Sequence, residues 1–209
     1  MTPDLGFVHR FEPGTTGATL LLLHGTGADE NDLIPLGRAV APGAALLSPR
    51  GQVLENGMPR FFRRLAMGVF DLEDLKTRTE DLAGFVERAA AHYEIDLTRT
   101  ILLGYSNGAN IGASLLLSRP GLVPAAALLH AMVPFRPDDM PAVAGTRVLI
   151  TGGEQDPMIP LEQTHELAEI LKAGGAEVEL SLEPGGHQLT NAEVEKVAGW
   201  VRRIAADAA

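Results

Sequence analysis

Residues 101–117 read ILLGYSNGANIGASLLL, and this stretch decides how the rest of the chain is interpreted. The apolar run that ends at residue 103 predicts a buried strand, and residues 107–118 predict a helix that stops before Pro120. Between these elements, Ser106 has a glycine two positions away on each side. A backbone that bends so tightly leaves no room for neighbouring side chains and exposes one hydroxyl. The order strand, G-x-S-x-G, helix predicts a nucleophile elbow, with a plain glycine-rich turn as the alternative.

A serine nucleophile needs a base within hydrogen-bond reach, and in this arrangement the base follows the serine in the chain. Three histidines lie downstream of Ser106, at positions 130, 165 and 187. His130 ends a predicted strand and His165 falls inside a predicted helix. His187 lies in the loop Pro184-Gly185-Gly186-His187-Gln188, where glycines let an imidazole reach across the sheet edge. His187 is therefore the predicted base.

The base in turn needs an acid that orients it, on a loop after a later strand. The predicted strand at 148–151 runs into GGEQDP, which places Asp156 just before Pro157, with a second proline at 160. The two prolines fix the turn that carries Asp156, which is the predicted acid. Glu154, Asp138 and Asp139 are the rivals, and each of them is also compatible with a solvated surface charge.

A second glycine-rich turn, His24-Gly25-Thr26-Gly27, follows the predicted first strand. Such a turn aims a backbone N–H at the oxygen that gains charge in a tetrahedral intermediate, and the N–H of Asn107 is the expected second donor. We expect His24 to form hydrogen bonds within the turn. No Walker lysine follows, so phosphate binding is not indicated. The six histidines include no i, i+4 pair, and neither a metal nor a cofactor is predicted.

Strand-like and helix-like segments alternate along the whole chain. The strand-like segments are nearly continuous aliphatic runs, which are typical of a parallel sheet covered by helices on both faces. We expect a single α/β domain over residues 1–209. The predicted strands are 19–23, 45–48, 100–103, 125–130, 147–151 and 178–182. The predicted helices are 30–40, 72–93, 107–118, 160–172 and a last one to about residue 205, which Thr190 and Glu193 begin as a capping box.

Composition and charge exclude several classes of function. The net charge of −10 argues against a nucleic-acid partner, because phosphate binding requires clustered lysines and arginines. No apolar run approaches the roughly 20 residues of a membrane span, and the N-terminus carries no secretory signal pattern. The chain has no cysteine, which excludes disulfides and fits a cytoplasmic protein.

One long segment, residues 49–71, shows no clear periodicity, and loops of this length are usually functional. We expect it to border the active site with Met58, Phe61 and Phe62 as apolar walls, while Arg60 holds a substrate carboxylate. The alternative is that the phenylalanines belong to the core or to a homodimer contact and that the arginines are solvated. Little else in the chain forms a lid, so a fairly open cleft for small substrates is expected.

Four motifs in family order make the chain resemble an α/β-hydrolase of the small carboxylesterase and phospholipase type, related to acyl-protein thioesterases. They are LLLHGTGADENDL, GYSNGAN, GGEQDPMIP and PGGHQLT. The resemblance implies that Ser106 is the nucleophile, Asp156 the acid and His187 the base, with Thr26 and Asn107 supplying the oxyanion-hole amides. Asn107 stands where glutamine is frequent, and its role is that of a backbone donor. The stretch LSPRGQVLENGMPRFFRR followed by GVFDLEDL, within residues 47–75, is similar to a bacterial branch associated with hydroquinone and catechol stress, which implies aromatic-derived esters or lactones.

The predicted function is that of a serine hydrolase that cleaves carboxylic esters of small soluble molecules without a cofactor. The alternatives are a thioesterase or lysophospholipase-like hydrolase, and a ligand-binding protein that has kept the fold without turnover. No membrane or nucleic-acid partner is expected.

Overall fold

A computed structural model describes residues 3–207 of the chain, and of Asp207 only the backbone. Eleven strands and five helices occur in this part. The strands are β1 (His9–Glu12), β2 (Thr19–Leu23), β3 (Ala45–Pro49), β4 (Val53–Glu55), β5 (Met58–Arg60), β6 (Arg64–Ala66), β7 (Val69–Phe70), β8 (Thr100–Tyr105), β9 (Ala125–Leu129), β10 (Arg147–Gly153) and β11 (Glu177–Glu183). The helices are α1 (Ile34–Val40), α2 (Leu72–Tyr93), α3 (Asn107–Ser118), α4 (Leu161–Ala173) and α5 (Asn191–Asp207), with a 3-10 turn at Leu97–Arg99.

Seven strands form one sheet in the order β1-β3-β2-β8-β9-β10-β11. Every neighbouring pair is parallel except β1 with β3, which is antiparallel. The central strands β2, β8 and β9 are buried along almost their whole length, as their aliphatic composition predicts for a sheet covered on both faces. The predicted fold class, a mainly parallel sheet between helices, is confirmed.

Two hydrophobic cores lie on opposite faces of this sheet. Helices α2, α3 and α4 cover one face, where Phe85, Ile111 and Leu167 are fully buried. Helices α1 and α5 cover the other, which contains Trp200 and Ile34. The carboxyl ends of the parallel strands therefore meet at one edge of the molecule, between the two helical layers, where ligand sites of open α/β sheets form. No helix in residues 3–207 is long and apolar enough to cross a membrane.

The helix predicted from residue 30 begins four residues later, at Ile34. The preceding residues form a turn in which the Asp29 carboxylate accepts a hydrogen bond from the Asn31 N–H at 2.8 Å. Pro35 occupies the start of the helix, where its missing N–H costs nothing. The expected helix start was wrong because the local Asx turn competes with helix formation.

Segment 49–71, predicted as irregular, folds into two small hairpins. Strands β4 and β5 pair across Asn56 and Gly57, which have φ angles of 52° and 82°. Strands β6 and β7 pair around Gly68, at φ 71°. Positive φ at both turn residues is what an Asn-Gly hairpin requires, so the prediction of an irregular loop was wrong and the turn signal was overlooked.

Candidate active site

Ser106 occupies a strained turn between β8 and α3. Its φ and ψ angles are 53° and −113°, a conformation that a non-glycine residue adopts only when its surroundings impose it. The N–H of Ser106 donates to the Leu129 carbonyl at 2.8 Å, which ties the turn to β9. A Cβ atom on Gly108 would lie 2.0 Å from the Leu23 carbonyl oxygen, so α3 begins in direct backbone contact with the end of β2. This is the tight bend that the glycine spacing predicts.

The structure brings Ser106, His187 and Asp156 together at the carboxyl ends of the strands. The Ser106 hydroxyl lies 2.8 Å from His187 Nε2, and His187 Nδ1 lies 2.7 Å from Asp156 Oδ2. Because an ionised carboxylate only accepts hydrogen bonds, Nδ1 carries the proton and Nε2 is free to accept that of the serine. His187 lies between β11 and α5, and Asp156 follows β10. This arrangement can transfer a proton from serine to imidazole during nucleophilic attack.

The Asp156 carboxylate is held by four hydrogen bonds although its side chain is almost fully buried, with 1% exposed. Oδ1 accepts from the N–H groups of Met158 and Ile159 at 2.8 and 3.1 Å, and Oδ2 accepts from two imidazoles. Burial raises the pKa of Asp156, but the hydrogen bonds from His130 and His187 outweigh it and leave the pKa lowered. Asp156 is therefore an anion at neutral pH and can stabilise a protonated His187.

Tyr105, the residue before the nucleophile, supports the loop that carries His187. Its hydroxyl donates to the His187 carbonyl oxygen at 2.7 Å, and the two rings lie 5.5 Å apart. Burial, with the nearby Asp156 and Glu193 carboxylates, raises the pKa of Tyr105 to about 12. The phenol consequently stays a neutral donor across the range in which the enzyme would work.

His130, considered above only as a rival base, contacts the acid instead of the nucleophile. Its Nδ1 lies 2.9 Å from Asp156 Oδ2, on the carboxylate oxygen that His187 also uses. Its Nε2 lies 3.3 Å from Glu193, which the sequence assigned to a capping box. The Thr190 hydroxyl does accept from the Glu193 N–H at 3.1 Å, but the Glu193 carboxylate turns inward and also accepts from the Thr151 hydroxyl. Sequence reasoning missed this contact because its partners are far apart in the chain.

The other rivals lie apart from the nucleophile. His165 is exposed on α4, and Glu154, Asp138 and Asp139 are exposed in loops. Among the described residues, one group, His130, Asp156 and His187, brings its side-chain nitrogen and oxygen atoms within 4.8 Å of one another, as a metal site would. Hydrogen bonds already occupy these atoms, so we assign the group to proton chemistry.

The turn at residues 24–27 lies beside Ser106, and Thr26 and Asn107 line the same small pocket as the nucleophile. Gly27 is not free to donate into this pocket, because its N–H donates to the Pro59 carbonyl at 2.9 Å. His24 is fully buried, with Nδ1 2.7 Å from the Gly25 carbonyl and Nε2 accepting from the Gly51 N–H at 2.9 Å. His24 therefore fixes the turn.

The residues of segment 49–71 that were expected to bind substrate separate into three environments. Phe61 and Phe62 are buried in the core, with 2% and 0% exposed, and the Phe61 N–H donates to Asn107 Oδ1 at 2.8 Å. Met58 is 41% exposed and lies beside Gly27. Arg60 lines the pocket at Ser106 and donates to the Thr26 hydroxyl at 2.9 Å. The Phe61 backbone thus holds the Asn107 side chain.

A larger cavity of ≈ 720 Å³ adjoins the pocket at Ser106. The two share the lining residues Met67, Gly68, Phe70, Met132 and Met158. The outer cavity continues between the β6–β7 hairpin and the loop after β9, over largely apolar side chains. Its volume is in the range of small-molecule sites.

Comparison with known proteins places the chain in a family. Residues 13–204 match the family model described as phospholipase/carboxylesterase. A protein of Bacillus subtilis named putative hydrolase MhqD is 47% identical over 194 residues, which cover 93% of this chain and 97% of that protein. The crystal structure of a Bacillus cereus carboxylesterase has 46% identity and a TM-score of 0.93, with 96% of each chain covered. The structure of YahD with malic acid has 30% identity and a TM-score of 0.89, and covers 95% of this chain and 99% of that one. The chain therefore belongs to the phospholipase/carboxylesterase family of α/β-hydrolases and is a hydrolase of the carboxylesterase type.

Proposed function

We propose that the protein hydrolyses carboxylic esters of small molecules through an acyl-enzyme on Ser106. The observation that carries this proposal is the unbroken line of hydrogen bonds from Ser106 through His187 to Asp156, at 2.8 and 2.7 Å. A serine hydroxyl is a weak nucleophile unless a base takes its proton, and this line supplies that base. Asp156 holds the imidazole in the required tautomer.

In the first half of the reaction, Ser106 Oγ attacks the ester carbonyl carbon while its proton moves to His187 Nε2. The backbone N–H groups of Thr26 and Asn107 stabilise the oxyanion of the tetrahedral intermediate. The C–O bond to the alcohol then breaks, and the alcohol leaves with the proton of His187. A water molecule then attacks the acyl-enzyme while its proton moves to His187 Nε2. The bond between the acyl carbon and Ser106 Oγ breaks, His187 returns the proton to Ser106 Oγ, and the carboxylic acid is released.

Covalent labelling tests the proposed nucleophile directly. Intact-protein mass spectrometry after treatment with a fluorophosphonate should reveal one adduct, and peptide mapping should place it on Ser106. Ser106→Ala and His187→Ala should abolish the adduct and lower kcat by roughly 10⁴-fold or more while circular dichroism remains that of the wild type. His165→Ala, a change at an exposed histidine on α4, is the matched control and should leave both unchanged. A wild type that is folded but unlabelled would refute the proposal and favour a non-catalytic binding protein.

We further propose that the substrate carries a negative charge on its acyl side. Arg60 and Arg64 both line the pocket at Ser106, and a single carboxylate, Glu55, pairs with them at 3.2 and 2.9 Å. Two guanidinium groups against one carboxylate leave a net positive charge beside the nucleophile. Burial, and then the neighbouring Arg64, lower the pKa of Arg60, as expected where positive charge is in excess. The malic acid named with the relative YahD is an acid of this type.

The charge preference is tested by comparing two esters of equal acyl length, mono-4-nitrophenyl succinate and 4-nitrophenyl butyrate. Arg64→Gln should lower the ratio of their kcat/KM values about tenfold, the effect of unit charges about 6 Å apart at an effective dielectric constant near 40. Arg63→Gln is the matched control, because Arg63 is 61% exposed and pairs with Asp71 at 2.8 Å. Equal ratios in the wild type and Arg64→Gln would contradict the preference and leave the esterase proposal intact.

The apolar lining of the outer cavity favours a second candidate, a thioesterase or lysophospholipase-like activity on longer acyl chains. Val133, Pro134 and Phe135 line this cavity, where a chain leaving the pocket at Ser106 would lie. Acetyl and palmitoyl thioesters distinguish the candidates. Higher kcat/KM for the acetyl compound supports the small-ester proposal, and the reverse order supports the second candidate.

A further inference from the structure

His130 is held in an unfavourable backbone conformation at the end of β9. Its φ angle is 54°, in the left-handed region that non-glycine residues rarely adopt, and its N–H donates to the Thr151 carbonyl at 2.9 Å. The side chain is 1% exposed. A residue kept in such a conformation in the interior indicates a constraint that the surrounding structure imposes for a reason other than local stability.

Both ring nitrogens of His130 face carboxylates. Nδ1 lies 2.9 Å from Asp156 Oδ2, and Nε2 lies 3.3 Å from Glu193 Oε2. A neutral imidazole has one donor and one acceptor nitrogen, whereas an imidazolium has two donors. Two ionised carboxylates offer only acceptors, so the neutral ring would turn a lone pair toward a carboxylate oxygen. The geometry fits the doubly protonated ring.

The Glu193 side chain is unusually buried for an acidic residue. It lies in the first turn of α5, where glutamate usually faces solvent, yet it is 2% exposed. Its carboxylate accepts from the Thr151 hydroxyl and contacts His130. A carboxylate taken out of water needs a partner of opposite charge, and in the described part of the chain His130 is the cationic group that contacts it.

We propose that His130 is a buried imidazolium which, paired with Glu193, positions the Asp156 carboxylate and limits the negative charge that faces His187. This inference rests on the proposed esterase mechanism. His130 acts through Asp156 and does not touch the nucleophile, so it is a positioning residue. Glu193 and His130 form a second line of hydrogen bonds, which joins the line from Ser106 through His187 at Asp156 Oδ2.

The charge of His130 changes the net charge that faces His187. Burial lowers the pKa of His130, but the hydrogen bonds to Glu193 and Asp156 outweigh it and the pKa is raised. The other groups that face the ring are His187, whose centroid is 5.1 Å away, and the neutral Tyr105 at 5.8 Å. Glu193, His130 and Asp156 together carry one negative charge. Without the cation they would carry two, and a protonated His187 would be more stable.

Nitrogen-15 NMR of histidine-labelled protein tests the charge of His130 without any substrate. His130→Asn identifies the signals, because asparagine tolerates the left-handed region and can still donate to Asp156. At a pH just above about 6.5, where an ordinary imidazole is mostly neutral, both ring nitrogens of His130 should be protonated. Glu193→Gln should remove one of these protons. A singly protonated His130 in the wild type at that pH would overturn the proposal.

The pH profile of kcat/KM provides the functional readout. In His130→Asn the acid limb should move upward by roughly 0.6 to 2.4 pH units, the range for a unit charge 5.1 Å away at effective dielectric constants between about 80 and 20. The double variant with Glu193→Gln restores the charge sum and should bring the limb back toward the wild type. Coincident profiles of His130→Asn and the wild type would overturn the proposal. Fluorophosphonate labelling of Ser106 in the same samples tests the esterase mechanism separately.

Discussion

Gly108→Ala tests the contact between the start of α3 and the end of β2, on which the elbow depends. A Cβ atom there would lie 2.0 Å from the Leu23 carbonyl oxygen and 2.6 Å from that of His24. Both neighbours are backbone atoms, so no side-chain rotation relieves the overlap. An ordinary contact begins at 3.4 Å, so the helix and the strand would have to separate by more than 1 Å.

Gly108→Ala should lower the free energy of unfolding, whereas intrinsic helix propensity alone would raise it. Alanine in place of glycine in a helix stabilises by up to about 1 kcal/mol. Forcing additional volume into a packed interior costs about 3 kcal/mol at the upper end of the usual range. The net loss in the free energy of unfolding should therefore be about 2 kcal/mol or more. Because the same separation displaces Ser106 from the turn at residues 24–27, kcat/KM should fall roughly 100-fold.

Urea denaturation and 4-nitrophenyl butyrate hydrolysis measure the two effects, with Gly112→Ala as the matched control in the same helix. A Cβ atom on Gly112 would meet the Leu102 side chain at 2.8 Å, and that side chain can move. The control should lie within about 1 kcal/mol of the wild type and keep its activity. A Gly108→Ala variant as stable and active as Gly112→Ala would refute the close backbone approach.

Three further predictions concern buried hydrogen bonds. Thr79→Val removes the 2.7 Å hydrogen bond to the Ser114 hydroxyl and leaves that buried group unpaired, so urea denaturation should reveal a loss of about 1–3 kcal/mol, most of which the double variant with Ser114→Ala recovers. Tyr105→Phe removes the hydrogen bond to the His187 carbonyl and should lower the free energy of unfolding by about 0.5–1.5 kcal/mol. The variant should have a smaller kcat, while the fluorophosphonate still labels Ser106. Because the pKa of His130 is raised in the folded state, its contribution to stability is complete below about pH 6.5 and is lost as the pH rises through the folded-state value. The stability advantage of the wild type over His130→Asn should therefore narrow as the pH rises above about 6.5 in the same assay.

Local patterns were sufficient to predict most of the fold and the three residues that meet at the elbow. The buried strand before Ser106 is an apolar run, and helix α2 was predicted at Leu72–Tyr93, the bounds that the structure has. His187 and Asp156 could be chosen because each follows a predicted strand in a loop shaped by glycine or proline. The strand β1 carries mixed residues at the sheet edge, where no apolar run marks it, and it was not predicted.

The parts that could not be predicted depend on contacts between distant residues. His130 and Glu193 are 63 positions apart, and Glu193 has a complete local explanation as a capping residue that says nothing about its buried carboxylate. The sequence left both a substrate wall and the core open for Phe61 and Phe62, and the structure places them in the core. A sequence predicts that a phenylalanine will be buried, but the tertiary packing determines which residues it contacts.

The last strand of the sheet, β11, has consequences for how the molecules behave when crowded. One of its edges pairs with β10 and the other ends the sheet, so its outer peptide groups could receive a strand from another copy. Glu177, Glu179 and Glu183 lie on one face of it, with Ser181 between the last two, and Arg203 pairs with Glu179 at 2.7 Å. Two such edges meeting would bring like charges together, which opposes fibril-like stacking. This protection is electrostatic, so it will weaken as ionic strength rises or as acidification neutralises the glutamates.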